Sequence, residues 1–210
     1  LLKFLVWFKK FLITTPWPLI IILLSFLAWL SSRSIKLSIG TAISFFLIGY
    51  FGMWKDTMST MAIISVATLI CLILGAPIGI LMARSQRLTN ILSPVLDMMQ
   101  TIPTFVYLIP IIMLLGIGKV PGLLAVCVYA IPPIVRLTNL GIREVDKRFV
   151  EAAKALGIKK RVILFKIEIP LALPSIMTGV NQTIMMALAM VVIASMIGVS
   201  GLGVPILRSI

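Results

Sequence analysis

The sequence contains no histidine, two cysteines and six acidic residues among 210. Without imidazole, the commonest general base and metal ligand is missing. Cys71 and Cys127 both lie inside apolar runs, so neither a disulfide framework nor a zinc site is expected. An intramembrane enzyme needs nucleophile, acid and base brought together, and the acids here stand only at the ends of apolar runs. No catalytic residue and no metal ligand is assigned. Charge of both signs is scarce, at 12% of residues against about 25% in soluble domains.

What fills the space is apolar. Hydrophobic residues make up 60% of the chain and mean hydropathy is +1.18. Several helix-length stretches have no polar face, so lipid is the solvent for most of the surface. The net charge of +13 comes from basic residues placed between apolar runs. They read as topology markers, and nucleic acid is not an expected partner.

Reading from charge to charge gives about six spans. The first lies between Lys10 and Arg33, densest from Trp17 to Leu30, and the second runs from Leu37 to Trp54. The third, Thr57 to Ala83, carries Gly75, Pro77 and Gly79 near its end, which predict a kink or a close helix contact. For the fourth, Ser93 and Pro94 resemble an N-cap and first helical residue, and the helix runs past Asp97 toward Gly118, interrupted at Pro103 and Pro110. The fifth, Val120 to Val135, is short and has Pro132-Pro133 near its end. From Ile169 to Leu207 no residue is charged, which is too long for one helix: one span and a re-entrant or surface segment are expected.

Orientation follows from the loop between Arg136 and Lys166, where basic residues are densest and which is therefore placed in the cytoplasm. Counting back puts the N-terminus outside, against the discordant Lys3, Lys9 and Lys10. Leu1, Leu5, Phe8 and Leu12 recur at helical spacing in that segment, so residues 1–14 read as an amphipathic helix on the membrane surface. Residues 15–55 then hold two peripheral spans. Residues 56–210 form the core, with the loop at 136–168.

That loop has a helix written into it. Asp146 reads as an N-cap, Phe149, Ala152, Ala153 and Leu156 fall on one face, and Gly157 suits the left-handed residue that ends a helix. Lys159 to Lys166 reads as a second short basic helix leading back to the membrane at Pro170. The stretch EAAKALGIKKRVILFKIEIP, Glu151 to Pro170, matches the motif Glu-Ala-Ala, three residues, Gly, nine residues, Ile, one residue, Leu-Pro, with Ile169 in place of the leucine. On it the chain resembles permease subunits of binding-protein-dependent ABC importers. MQTIPTFVYLIPIIMLLGIG (99–118), AIPPIVRLTNLGI (130–142) and GVNQTIMMALAMVVIASMIGVSGLG (179–203) resemble the branch serving glycine betaine and proline betaine.

The resemblance implies an all-α polytopic membrane bundle with a cytoplasmic coupling loop, alternating between inward and outward openings. Its ATPase-coupling residues would be Glu151, Ala152, Ala153, Leu156, Gly157, Ile167 and Pro170. The implied partners are two ATPase subunits, which carry ATP and magnesium, a second permease copy and an extracytoplasmic binding protein, at the bacterial inner membrane. The family's last span would lie beyond Ile210, as in a chain truncated at its C-terminus. Neither Gly116-Ile117-Gly118-Lys119 nor the cluster Gly198, Gly201, Gly203 has the phosphate-loop spacing, so the chain is not expected to hydrolyse ATP or bind a cofactor itself.

Candidates for the pathway are the polar residues Thr101, Thr104, Asn181, Gln182 and Thr183, with Tyr107 as an aromatic that attracts methylated ammonium. Asp97 is read as a first-turn carboxylate held by the helix dipole. Within the same architecture another solute is open, such as choline, carnitine, trimethylamine oxide or an amino acid. A passive channel or membrane enzyme is the reading from another class.

Overall fold

The computed structural model describes residues 2–208; Leu1, which the expected surface helix includes, and residues 209–210 lie outside the described residues. Among the described residues all regular structure is helical. The helices are α1 (Leu2–Thr14), α2 (Trp17–Ser32), α3 (Ile35–Tyr50), α4 (Trp54–Arg84), α5 (Gln86–Thr101) and α6 (Thr104–Leu115). They are followed by α7 (Lys119–Arg143), α8 (Lys147–Ala155), α9 (Lys160–Ile163), a π turn over Leu164–Glu168, α10 (Ile169–Ala194) and, after a 3-10 turn, α11 (Gly203–Arg208).

Among the described residues three helices are long and apolar enough to cross a membrane: α4, α7 and the continuous stretch Lys160–Ala194. Two bent pairs bring the number to five if each counts as one span: α1 with α2, bent by 102°, and α5 with α6, bent by 97°. The second expected span, α3, has 16 residues. It is short for a crossing on its own.

The core is α4, α7 and α10, with α7 in the middle. Lipid tails are as apolar as leucine, so helices in a membrane associate where small residues let backbones approach. The sequence supplies such notches on facing sides. Gly75 and Gly79 of α4 lie against Ile134 and Thr138 of α7, where an added Cβ would come within 2.5 Å of the Ile134 side chain and 2.6 Å of the Val135 carbonyl oxygen. Gly141 of α7 meets Ser175 of α10, and Gly179 of α10 meets the Ile134 backbone. The two cysteines are free and buried in the α4–α7 contact, where Cys71 donates to the Cys127 carbonyl at 3.4 Å.

Two expected boundaries move. The helix of the fourth span begins at Ser85, whose hydroxyl accepts from the Leu88 N–H at 3.3 Å, and Pro94 lies inside it. Either serine suits a cap, but the amphipathic pattern of α5 already runs through residues 86–92, so the cap falls at Ser85. The fifth span does not stop at Val135. Pro132 and Pro133 are both buried in α7, which runs on to Arg143; in a packed bundle, neighbouring groups accommodate the carbonyls that proline leaves free. Arg136, expected in the loop, is therefore a helical residue seven positions before the end of a candidate span.

At the end of the bundle opposite α8, the chain folds back on itself. Thr60 Oγ1 accepts from the Leu202 N–H at 2.9 Å, and Lys9 Nζ donates to Ser200 Oγ at 2.7 Å. Helix α1 lays Leu5 into the core beside α4, while Trp7 and Phe11 stay exposed and stack on each other.

Candidate functional site

Helix α8 is built as the sequence prescribes. The Asp146 carboxylate accepts from the Arg148 N–H at 2.9 Å, which satisfies one of the amides left open at a helix start. At the other end Gly157 has φ +71°, and its N–H donates to Lys154 O at 2.9 Å while that of Ile158 reaches back to Ala153 O at 3.1 Å. These two bonds form a Schellman closure, which a left-handed glycine permits at little strain.

The expected apolar face of α8 divides. Ala153 is buried, whereas Phe149 is 55% and Leu156 79% exposed. Glu151 and Ala152 are exposed beside them. Phe149 on this capped nine-residue helix and Leu156 at its C-cap leave two large apolar side chains open beside the one buried alanine. Glu151 makes no ion pair among the described residues, although Lys147 and Lys154 stand one turn away on either side. Its carboxylate stays open.

The second basic helix does not end before the membrane. α9 passes through the π turn into α10, with Ile167 half-buried and Pro170 exposed in the first turn of α10. Between them Glu168 is buried and pairs with Arg84, the last residue of α4. Arg143 makes the neighbouring tie: its guanidinium donates to Met82 O at 3.1 Å, Thr89 Oγ1 at 2.8 Å, Gln86 Oε1 at 2.8 Å and Asn139 Oδ1 at 3.0 Å. Arginines at the C-terminal ends of α4 and α7 thus meet the carbonyl-rich helix ends that favour cations. Together they fasten α4, α5, α7 and the root of α10 next to α8. Sequence reading missed this cluster because Arg84 and Arg143 were counted as topology charges.

The six pathway candidates do not converge. Thr101 is exposed, and its hydroxyl donates to the Asp97 and Met98 carbonyls of its own helix. Thr104 is half-buried at the start of α6. Tyr107 braces the bend between α5 and α6: its hydroxyl donates to Met99 O at 2.6 Å, and its ring meets Tyr129 edge-on with centroids 6.2 Å apart. Thr183 is buried with its hydroxyl unpartnered, and Asn181 is exposed.

Gln182 alone of the six lines a polar cavity of about 550 Å³ between α5, α7 and α10, together with Ser93, Asp97, Gln100, Arg136 and Asn139. Asp97 is an ion pair with Arg136 across it. The carboxylate sits four residues before the end of α5 rather than in a first turn, so the dipole explanation does not hold for it; the guanidinium is its partner.

Comparison with known proteins places this architecture. Residues 75–210 match the family described as the binding-protein-dependent transport system inner membrane component. The glycine betaine/proline betaine transport system permease protein ProW of Escherichia coli (strain K12) is 48% identical over 203 residues, covering 97% of this chain and 57% of that protein. The glycine betaine/carnitine transport permease protein GbuB of Listeria monocytogenes serotype 1/2a (strain 10403S) is 46% identical over 190 residues, covering 90% of this chain and 67% of that protein. The chain spans a little over half the length of the first. In an inward-facing crystal form of the MetNI methionine ABC transporter, one chain superposes with a TM-score of 0.66 at 22% identity, covering 72% of this chain and 76% of that one, which shows a shared fold. By its helices, its exposed α8 motif and these matches, the chain belongs to the family of inner membrane components of binding-protein-dependent transport systems.

Proposed function

We propose that the chain is the membrane permease of an ATP-driven importer for glycine betaine, proline betaine or related methylated solutes. The observation that carries the coupling part of this reading is α8: a capped helix with an open carboxylate at Glu151 and outward-facing Phe149 and Leu156. It is shaped to sit in a cleft of a cytoplasmic ATPase subunit, with Glu151 available for a charge-assisted bond. The solute class rests on the relatives, whose names concern glycine betaine with proline betaine or carnitine.

Two copies would form the two walls of a central pathway, each resting on one ATPase subunit, with a binding protein delivering solute from the far side. ATP and magnesium belong to the ATPase subunits. Closure of those subunits would push α8, and the Arg84–Glu168 and Arg143 ties would pass the movement into α4, α7 and α10. Exposed Trp7 and Phe11 beside Lys3 and Lys10 suit α1 to the membrane interface.

ATP-dependent uptake of radiolabelled glycine betaine into liposomes tests the reading, using the full-length permease with its ATPase and binding protein. Uptake is expected in the wild type and absent with Glu151→Lys, which reverses the open charge without touching the bundle. Normal uptake by Glu151→Lys would remove α8 from the coupling path. No betaine uptake, with permease-dependent ATPase activity retained, would keep the importer and exclude the solute.

A further inference from the structure

The cavity between α5, α7 and α10 holds two opposite charges, one in the candidate span α7 and one in the bent pair α5–α6. Arg136 lies seven residues inside the α8 end of α7, about 10 Å along the axis at 1.5 Å per residue. Asp97 lies eleven residues beyond the first residue of α5. Charges at such depth face a water-filled path or a partner rather than lipid. Each of them has capacity to spare. Among the described residues Arg136 donates once, from Nη2 to Asp97 Oδ1, and its Nε is buried without a partner. A guanidinium has five donors and a carboxylate about four acceptor sites.

We propose that this cavity is a transit site for a zwitterion, with Arg136 taking the solute's carboxylate and Asp97 facing its ammonium group. The proposal rests on the importer reading above and names where in this chain the solute passes. Three features favour a zwitterion over an ion of one sign. The pair is neutral as a unit, so a cation near Asp97 also meets Arg136, and an anion near Arg136 also meets Asp97. A zwitterion laid antiparallel to the pair satisfies both at once and leaves no charge uncompensated. Ser93, Gln100, Asn139 and Gln182 line the same space and replace water around the solute's oxygens without adding charge.

The site is also built to hold weakly. Asp97 and Arg136 already satisfy one another, and their side chains are 61% and 37% exposed, so the solute replaces water and part of an existing pair. Among the described residues no aromatic ring lines the cavity; Tyr107 and Tyr129 are engaged with each other. Cation–π attraction, which rewards full methylation, is therefore missing. Affinity in the millimolar range and little discrimination between two and three N-methyl groups are expected from charge recognition alone.

Saturation-transfer NMR tests this on the full-length permease assembled with its ATPase in lipid nanodiscs, without binding protein. The probes are glycine betaine, choline, which keeps the cation and lacks the carboxylate, and 3,3-dimethylbutyrate, which keeps shape and carboxylate and lacks the cation. Glycine betaine is expected to give a saturable signal, competed by proline betaine and by dimethylglycine, with both single-charge probes weaker by about tenfold. Asp97→Asn and Arg136→Gln are each expected to weaken glycine betaine by about tenfold and to close the gap between probes. Arg136→Lys keeps the charge and should retain most of the signal, which separates loss of the site from loss of the fold.

No saturable signal in the wild type, equal signals from glycine betaine and choline, or an unchanged signal in both Asp97→Asn and Arg136→Gln would overturn the transit site. Uptake by the same protein reconstituted into liposomes with its ATPase and binding protein separates the two readings. Wild-type uptake without the NMR signature sinks this site alone, whereas absence of uptake with the binding protein present sinks the solute assignment.

Discussion

The outer pair α2–α3 and the inner trio α4, α7 and α10 are made of the same apolar material and behave differently. α2 buries only Ile20 and α3 buries no residue. Large side chains such as Ile22, Phe26 and Ile43 project outward, and the polar tie between the two helices is Ser38 Oγ to Ser25 O at 2.8 Å. Glycines of the trio sit in its helix contacts, where an added Cβ would clash, whereas a Cβ at Gly40 of α3 would meet nothing within 4 Å. In lipid, hydrophobicity does not separate inside from outside. Residue size does, because close backbone approach and the dispersion contacts it permits hold the bundle together.

The largest break in that contrast should come from Gly79→Leu. A side chain there meets the Val135 carbonyl oxygen and Thr138; the carbonyl belongs to helix backbone and cannot rotate away. We expect α4 and α7 to separate, with loss of the monodisperse peak in detergent size-exclusion chromatography. Normal elution and thermal stability would show that the trio is held by something other than its notches.

Next in size is Arg84→Ala, which leaves Glu168 buried without its partner. Removing one member of a fully buried pair costs about 3–5 kcal/mol; here the cost is smaller because Arg84 reaches solvent. The expected signature is coupling loss: ATPase activity persists while uptake per ATP falls, and the exchanged pair Arg84→Glu with Glu168→Arg recovers part of it. Equal losses of both activities would reduce the pair to a stability role.

Gly157→Ala should be milder, about 1 kcal/mol for a left-handed residue with a Cβ. It is visible as faster amide exchange at Ile158, whose N–H closes the helix end. The smallest effects belong to the outer pair. Ser38→Ala should cost about 0.6 kcal/mol and Leu23→Ala less than about 0.5 kcal/mol, read as thermal unfolding in nanodiscs. A Leu23→Ala loss matching Gly79→Leu would erase the distinction between the two regions.

Much of this was legible beforehand. The helical membrane class and the third span follow from charge spacing, and Asp146 and Gly157 delimit α8 where cap chemistry puts them. Gly75 and Gly79 signal the close contact that α7 makes. The polar cavity was less legible, for a physical reason. Arg136, Asn139 and Asp97 come from two helices, and Arg136 looks like a loop charge as long as a charged residue is taken for the end of a span. Once α7 continues past that charge, the same arginine faces α5. Thr101, Tyr107 and Thr183 show the converse: polar side chains in apolar runs often turn to their own backbone or into a contact.

The π turn at Leu164–Glu168 gives the long family motif a different meaning. Its closing bond runs from the Ile169 N–H to the Leu164 carbonyl, five residues back, so this turn holds one residue more than an α turn. An added residue rotates the remainder of the helix by about 100°. The nine positions between Gly157 and Ile167 therefore set an angle as well as a length: they decide which way α10 faces when it enters the bundle, with Glu168 toward Arg84 and, eleven residues on, Gly179 toward Ile134. Deleting one residue there would leave the helix intact and aim it at the wrong neighbours, so the motif works as a phase setting between α8 and α10.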